Sequence, residues 1–121
     1  MITFELPWPS RACWNNSRSH WAVKAQAVSS DRHTALVLTR QALNGRQIPV
    51  PPNGESLKIH LVFNQPKRTP RYDLANAEAA CKAFLDGIAD ATAIDDEQFY
   101  VDSERGPKSD GAGSVTVSVG E

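Results

Sequence analysis

Between Asp73 and Asp96 the sequence DLANAEAACKAFLDGIADATAIDD sets one lysine among carboxylates. Glu78, Lys82 and Asp86 stand four residues apart, Asp73 and Asn76 come just before them, and Asp95 and Asp96 follow after a short connection. Carboxylate oxygens bind hard cations such as magnesium, and an ammonium group offsets charge developing on a phosphate oxygen. The pattern therefore suits metal-assisted phosphoryl chemistry. It also suits a plain solvated helix face carrying i, i+4 ion pairs, which are common and weakly stabilising.

The element that must carry these groups reads as one amphipathic helix. Ala77, Ala80, Cys81, Phe84, Leu85 and Ile88 recur at helical spacing and make its apolar stripe, opposite Glu78, Lys82 and Asp86. The rest of the chain supplies a sheet and a second helical segment. Ile2, Phe4 and Leu6 alternate with polar residues in a first strand that Pro7 and Pro9 end. Residues 20 to 43 lack glycine and proline and read as one helix or two, with Ser29, Ser30 and Asp31 able to cap a restart and Gly45 placed as a C-cap. Leu57, Ile59, Leu61 and Phe63 alternate through the clearest strand, and His60 on its other face reads as a strand residue rather than a ligand. Phe99 to Ser103 and Ser114 to Val119 read as two final strands, expected to pair as an antiparallel hairpin across a glycine-containing turn. The expected fold is thus mixed α/β, of α+β type: a mixed four-stranded sheet with two main helices in the order β-α-β-α-β-β, forming a single domain over residues 1–121.

Charge is segregated along this framework. The net charge of −1 alone argues against a polyanion ligand, yet residues 1 to 48 carry six Lys/Arg against two acids and residues 49 to 72 carry four against one. Residues 73 to 104 reverse this with nine acids against Lys82 alone. Such a chain can grip phosphates with one part and bind cations with another, although charge blocks are often only solvated surface. Two stretches carry the candidate grip. In CWNNSRSHWAVK, Asn16, Arg18, His20, Trp21 and Lys24 interleave aromatic, amide and cationic groups that can contact sugars, bases and phosphates; Trp21 reads equally as a core anchor. In NQPKRTPRYD, Lys67, Arg68 and Arg71 lie along a proline-extended approach to the acidic segment, with Asn76 just beyond it.

Cys13 and Cys81 are too few for a disulfide framework, so a reducing compartment is expected. The N-terminus shows no signal-peptide pattern and no stretch approaches a membrane span, so a soluble cytoplasmic protein without membrane partners is expected. No phosphate-cradling glycine motif, zinc-type spacing or Gly-x-Ser-x-Gly elbow is found, which leaves neither an organic cofactor nor a covalent nucleophile suggested.

Taken together, the opening strand into LPWP, the Asn16, Arg18, His20, Trp21 loop, the basic approach Lys67 to Arg71, and the series Asp73, Asn76, Lys82, Ala83, Asp86, Gly87, Asp90, Asp95, Asp96 resemble the RusA-type Holliday junction resolvases of phages, prophages and bacteria. The resemblance spans nearly the whole chain. It implies a magnesium-dependent homodimer in the bacterial cytoplasm that hydrolyses paired phosphodiester bonds in branched, four-way DNA during recombination and repair. On this likeness Asp73, Lys82, Asp95 and Asp96 are the catalytic residues, and Asp73, Asp95 and Asp96, with Asp86 as a further candidate, hold Mg²⁺. Asn16, Arg18, His20, Trp21, Lys24, Lys67, Arg68, Arg71 and Asn76 hold the DNA. The compact signature of the family reads Asp, x, Asp, Asn, x, x, Lys, whereas Ala75 stands here at the second aspartate position and Lys82 lies nine residues after Asp73. Either three residues are inserted and that carboxylate is missing, which we prefer, or Asn76 and Glu78 occupy the two aspartate positions. A branched-DNA-binding protein without catalysis, and an interaction domain without metal, are the alternatives.

Overall fold

The computed structural model describes residues 1–14, 18, 20–68, 72–109 and 111–120, so Asn16 and Arg71 lie outside the described residues. Four strands, β1 (Ile2–Pro7), β2 (Leu57–Asn64), β3 (Phe99–Arg105) and β4 (Ser114–Val119), form one mixed sheet in the order β1-β4-β2-β3. Three helices, α1 (Trp21–Leu43), α2 (Leu74–Ala80) and α3 (Lys82–Thr92), complete it. Among the described residues no helix is long and apolar enough to cross a membrane.

The alternating strand residues behave as their period of two demands. Leu57, Ile59, Leu61 and Phe63 of β2 and Val115, Val117 and Val119 of β4 all point into the core, where they meet Ile2, Leu6, Ala77, Cys81, Phe84 and Ile88. Each fully buried Leu, Ile, Val or Phe contributes about 1.5–3 kcal/mol, and these two strands account for most of the sheet's share.

Several expectations are corrected. β3 and β4 are not a hairpin: β4 runs antiparallel to both β1 and β2, while β3 lies parallel to β2 at the sheet edge. The reason lies in burial. β4 presents three fully buried valines that need neighbours on both sides, whereas β3 has no fully buried residue and suits an edge. The chain crosses from β3 to β4 over the end of β2, where the Gly106 amide donates to the Phe63 carbonyl (2.9 Å) and a Cβ at Gly106 would stand 2.6 Å from Val62 Cγ1.

The acidic helix is also two helices rather than one. At Cys81 (φ −86°, ψ 4°) the ladder tightens, its amide donating to the Glu78 carbonyl three residues back, and α3 restarts at Lys82. The apolar stripe still runs through the break, because Ala77, Ala80, Cys81, Phe84 and Ile88 are all buried.

By contrast α1 is continuous for 23 residues, and Asn44, not Gly45, takes the left-handed C-cap (φ 50°). Asp31 does not cap a restart. It is buried, and its carboxylate accepts hydrogen bonds from the Ser10 amide (2.9 Å), the Ser10 hydroxyl and the Cys13 thiol (3.5 Å), fastening the loop after β1 to α1. Burial, and then the Asp31 charge, push the Cys13 thiol up to about 11.

α1 packs on α3 at Gly87, and there the two backbones come so close that no side chain fits. A Cβ on Gly87 would lie 2.7 Å from Ala35 Cβ, 3.0 Å from the Leu36 amide nitrogen, and closer still to the Arg32 carbonyl. Gly87→Ala gains about 1 kcal/mol of helix propensity but overpacks against backbone at about 3 kcal/mol, so urea unfolding should report a net loss of about 2 kcal/mol. A variant as stable as the parent would show that the helices can slide apart.

Across β2 and β3, His60 Nδ1 lies 2.8 Å from Asp102 Oδ1 and Nε2 lies 3.7 Å from Glu104. The Asp102 hydrogen bond, outweighing partial burial, holds the imidazole above its ordinary value of 6.5. A raised histidine value stabilises the fold fully below 6.5 and ceases to do so as pH rises through the folded-state value. Thermal melts should therefore show the parent ahead of Asp102→Asn at about pH 5 and level with it near pH 9. The gap should stay below about 1 kcal/mol because the pair is solvent-exposed.

Candidate functional site

Lys82 opens α3, and its ammonium reaches two carboxylates. One is Asp86, one turn along the same helix (Nζ to Oδ1 2.9 Å), and the other is Asp96, fourteen residues on, in close contact. The first follows from i, i+4 spacing. The second requires the chain to double back after α3, and it does so at Ala93, a non-glycine residue in the left-handed region (φ 59°, ψ 24°). Thr92 braces this turn: its hydroxyl donates to the Ile88 carbonyl (2.8 Å) and accepts from the Ile94 amide (3.3 Å), while Ile94 is buried as an anchor. Asp95 then caps a short 3-10 turn over Asp96–Gln98, accepting from the Glu97 amide (2.9 Å).

Asp86, Asp95 and Asp96 consequently line one open depression of about 390 Å³, together with Arg32, Ala89, Asp90, Ala93 and Ile94. Its electrostatics are asymmetric. The Lys82 hydrogen bond is the main influence holding the Asp96 carboxyl below its ordinary 3.8, helped by Asp95 and Asp86 and opposed by partial burial. The hydrogen bonds that Lys82 donates to Asp96 and then to Asp86 raise the lysine in turn. Both groups are thus ionised at neutral pH. Arg32 of α1 makes a two-pronged ion pair with Asp90, Nε to Oδ2 at 2.7 Å and Nη2 to Oδ1 at 2.8 Å, which depresses Asp90.

The residues expected from sequence fall into three groups. Asp86, Asp95 and Asp96 share the depression, and Lys82 is tied to it through its ion pairs with Asp86 and Asp96. Asp73 is exposed and caps α2, accepting from the Ala75 amide (2.8 Å), with half-buried Asn76 in the first turn of that helix. Glu78, the rival ligand, accepts from the Ser103 hydroxyl (2.7 Å) and so faces β3. The third group is basic and exposed: Arg18, Lys24, Lys67 and Arg68 all lie open to solvent. His20 caps α1, its Nδ1 accepting from the Ala22 amide (3.1 Å), and its ring lies 5.4 Å from that of Trp21. Trp21 is 76% exposed, which removes its reading as a core anchor. Trp14 has that role instead, in an aromatic cluster with Trp8, Tyr72 and Phe63.

An all-oxygen set of three carboxylates suits a hard divalent cation by donor chemistry. Among the described residues no three histidine, cysteine or acidic side chains stand within metal-ligating reach of one another, and Lys82 occupies the space between Asp86 and Asp96. Sequence reasoning missed Arg32, whose place beside the site depends on the packing of α1 against α3; only its neighbour Asp31 stood out.

No protein-family model matches the chain. Over 100 residues, 82% of its length, it is 39% identical to a protein of Xylella fastidiosa (strain Temecula1 / ATCC 700964) described as uncharacterized, and it spans 63% of that relative's length.

Removing the lysine tests the pairing. In Lys82→Met the Asp96 carboxyl loses its chief hydrogen-bond donor while keeping Asp86 and Asp95 beside it, so its titration, followed by carboxyl carbon NMR, should move upward. An Asp96 titration unchanged from the parent would show that the ion pair does not persist in solution.

Proposed function

We propose that this chain is a magnesium-dependent, structure-selective endodeoxyribonuclease of the RusA type, which resolves four-way DNA junctions as a homodimer during recombination and repair. The observation that supports this most is that Asp86, Asp95 and Asp96, from segments separated by the turn at Ala93, line one open depression while Lys82 pairs with Asp86 and Asp96. Those are the residues whose types and spacing carry the family likeness.

Asp73, Asp95 and Asp96, with Asp86, are the candidate ligands; a cation there would have to displace Lys82 from between Asp86 and Asp96 and draw the carboxylates together, because among the described residues no three of them form a ready metal site. A bound divalent ion lowers the pKa of water and polarises a phosphoryl oxygen. Lys82, fully charged between Asp86 and Asp96, offsets the negative charge that builds on the phosphate as the water oxygen bonds to phosphorus and the bond to the leaving oxygen breaks. The exposed Arg18, Lys24, Lys67 and Arg68, with Asn16, Arg71, His20, Trp21 and Asn76, hold the DNA strands on either side. Two such sites in a dimer supply the paired cuts.

A second reading, a branched-DNA-binding protein without catalysis, is favoured by one observation: Ala75 stands in the first turn of α2 where the compact signature has a carboxylate.

Asparagine separates the two readings without disturbing the fold, because it caps helices as well as aspartate does. Asp73→Asn and Asp95→Asn should each abolish magnesium-dependent nicking of a synthetic four-way junction, by 100-fold or more on the order of a lost electrostatic group, while gel shifts still report junction binding. Undiminished cleavage in both variants would refute the site. Junction binding without cleavage by the parent would establish the second reading.

A further inference from the structure

α1 runs on past the helix it packs against. Arg32 pairs with Asp90 and Ala35 meets Gly87, so α1 and α3 are antiparallel, and α3 ends at Thr92, two residues beyond Asp90. The first turns of α1 therefore form an arm, and residues 21–26 are exposed without exception. Six consecutive helical positions, about 100° apart, sample every side of the helix, so no described residue buries any face of it.

The arm opens on an indole that the core does not use. Trp8 and Trp14 stack in the aromatic cluster, whereas Trp21 is 76% exposed. Its orientation is nevertheless supported. The His20 ring lies 5.4 Å away at 36°, and that imidazole is itself held by the hydrogen bond from the Ala22 amide to Nδ1 (3.1 Å). Val23, the other large exposed apolar residue of the arm, projects about 200° from Trp21. Within the arm the positions nearest to Trp21 in projection are Lys24 and the small Ala25.

Charge around the arm is of one sign. Residues 11–30 hold Arg11, Arg18 and Lys24 and no acid, and the acid that follows, Asp31, is buried and bound to Ser10 and Cys13. Arg18 and Lys24 stand three residues to either side of Trp21, both exposed, and among the described residues neither forms an ion pair with a carboxylate. The carboxylates of the depression meet α1 only at Arg32, about 16 Å farther along the helix. A planar ring between two cations suits an unpaired nucleotide, since bases stack on aromatic faces while lysine and arginine neutralise the phosphates beside them. A lipid surface or a second copy of this chain would need a continuous apolar face, which Trp21 and Val23, on different sides of the helix, do not provide.

We propose that this arm is a platform for single-stranded DNA, with the Trp21 indole stacking on an unpaired base and Arg18 and Lys24 holding the phosphates on either side. Such binding rests on the DNA-binding part of the reading above and needs neither metal nor cleavage. It carries a preference as well: bases paired within a duplex offer no free face, whereas the unpaired nucleotides of an open branch point do.

The test is an anisotropy titration of the full chain, in EDTA, with a labelled oligothymidylate of about 16 nucleotides and with a duplex of the same length, for the parent, Trp21→Ala, Trp21→Phe and Lys24→Gln, with urea unfolding of each to verify folding. Trp21→Ala should weaken single-strand binding about tenfold and duplex binding by less than about twofold, with an unchanged salt dependence because no charge is lost. Trp21→Phe keeps a ring to stack on, so it should bind within about threefold of the parent. It should also lose the quenching of tryptophan fluorescence that the oligonucleotide causes in the parent, because Trp8 and Trp14 lie in the cluster. Lys24→Gln should lower the salt dependence by about one phosphate contact. Single-strand binding by Trp21→Ala equal to the parent's, an equal loss on duplex, or a changed oligomeric state of Trp21→Ala in sedimentation, the mark of a contact between copies, would overturn the platform while leaving the nuclease reading to stand on junction cleavage. A parent that binds neither the oligonucleotide nor a four-way junction would remove both.

Discussion

Much of this molecule depends on how near two helices can come. α1 and α3 touch backbone to backbone at Gly87, where Ala35 and the Leu36 amide occupy the volume a side chain would need. That contact has two outcomes. It presses the apolar side of α3, with Phe84 and Ile88, against the sheet, and it carries Arg32 to the rim of a surface formed otherwise by α3 and the residues after it. Wider spacing would leave the core underfilled and Arg32 out of reach of Asp90. Stability and site geometry are therefore set by the same few atoms.

The second constraint is electrostatic. Four carboxylates, Asp86, Asp90, Asp95 and Asp96, line one depression, and two ion pairs there tie segments that are not adjacent in sequence: Lys82 joins α3 to Asp96, and Arg32 joins α1 to Asp90. Such exposed pairs contribute little to stability by themselves. Their value lies in orientation, since they hold the acids in fixed relation, and the pairings lower the Asp90 and Asp96 carboxyls below their ordinary values. The left-handed Ala93, bracketed by Thr92 hydrogen bonds and buried Ile94, is the local strain that makes the return of Asp95 and Asp96 possible.

What could be read from the residues follows their periodicity. Leu57, Ile59, Leu61 and Phe63, and the three valines of β4, announce strands and the faces they bury, and those faces are the ones observed. Alternation specifies a face but not a neighbour, which is why the insertion of β4 between β1 and β2 was invisible. In the acidic segment the apolar stripe passes unbroken through Cys81, so nothing in the pattern marks the restart at Lys82. The Lys82–Asp86 pair is legible because one helical turn joins it, and Lys82–Asp96 was anticipated only as a clustering of types. Arg32 and Asp90 stand 58 positions apart on different helices, beyond what local pattern reaches. Trp21 shows the opposite difficulty: an aromatic at the start of a helix fits core or surface equally on paper, and only its 76% exposure decides.

The edge position of β3 has its own consequence for solubility. An outermost strand displays unpaired amides and carbonyls that can recruit a foreign strand, and proteins discourage this with charge, proline and short length. β3 spans seven residues, carries Asp102, Glu104 and Arg105 at exposed positions and leads into Gly106 and Pro107, while the opposite margin of the sheet, β1, ends in Pro7. Both borders thus resist runaway sheet growth, and the aggregation hazard carried by the valine-rich ribbon of β4 is confined to the interior, where it has a partner on each side.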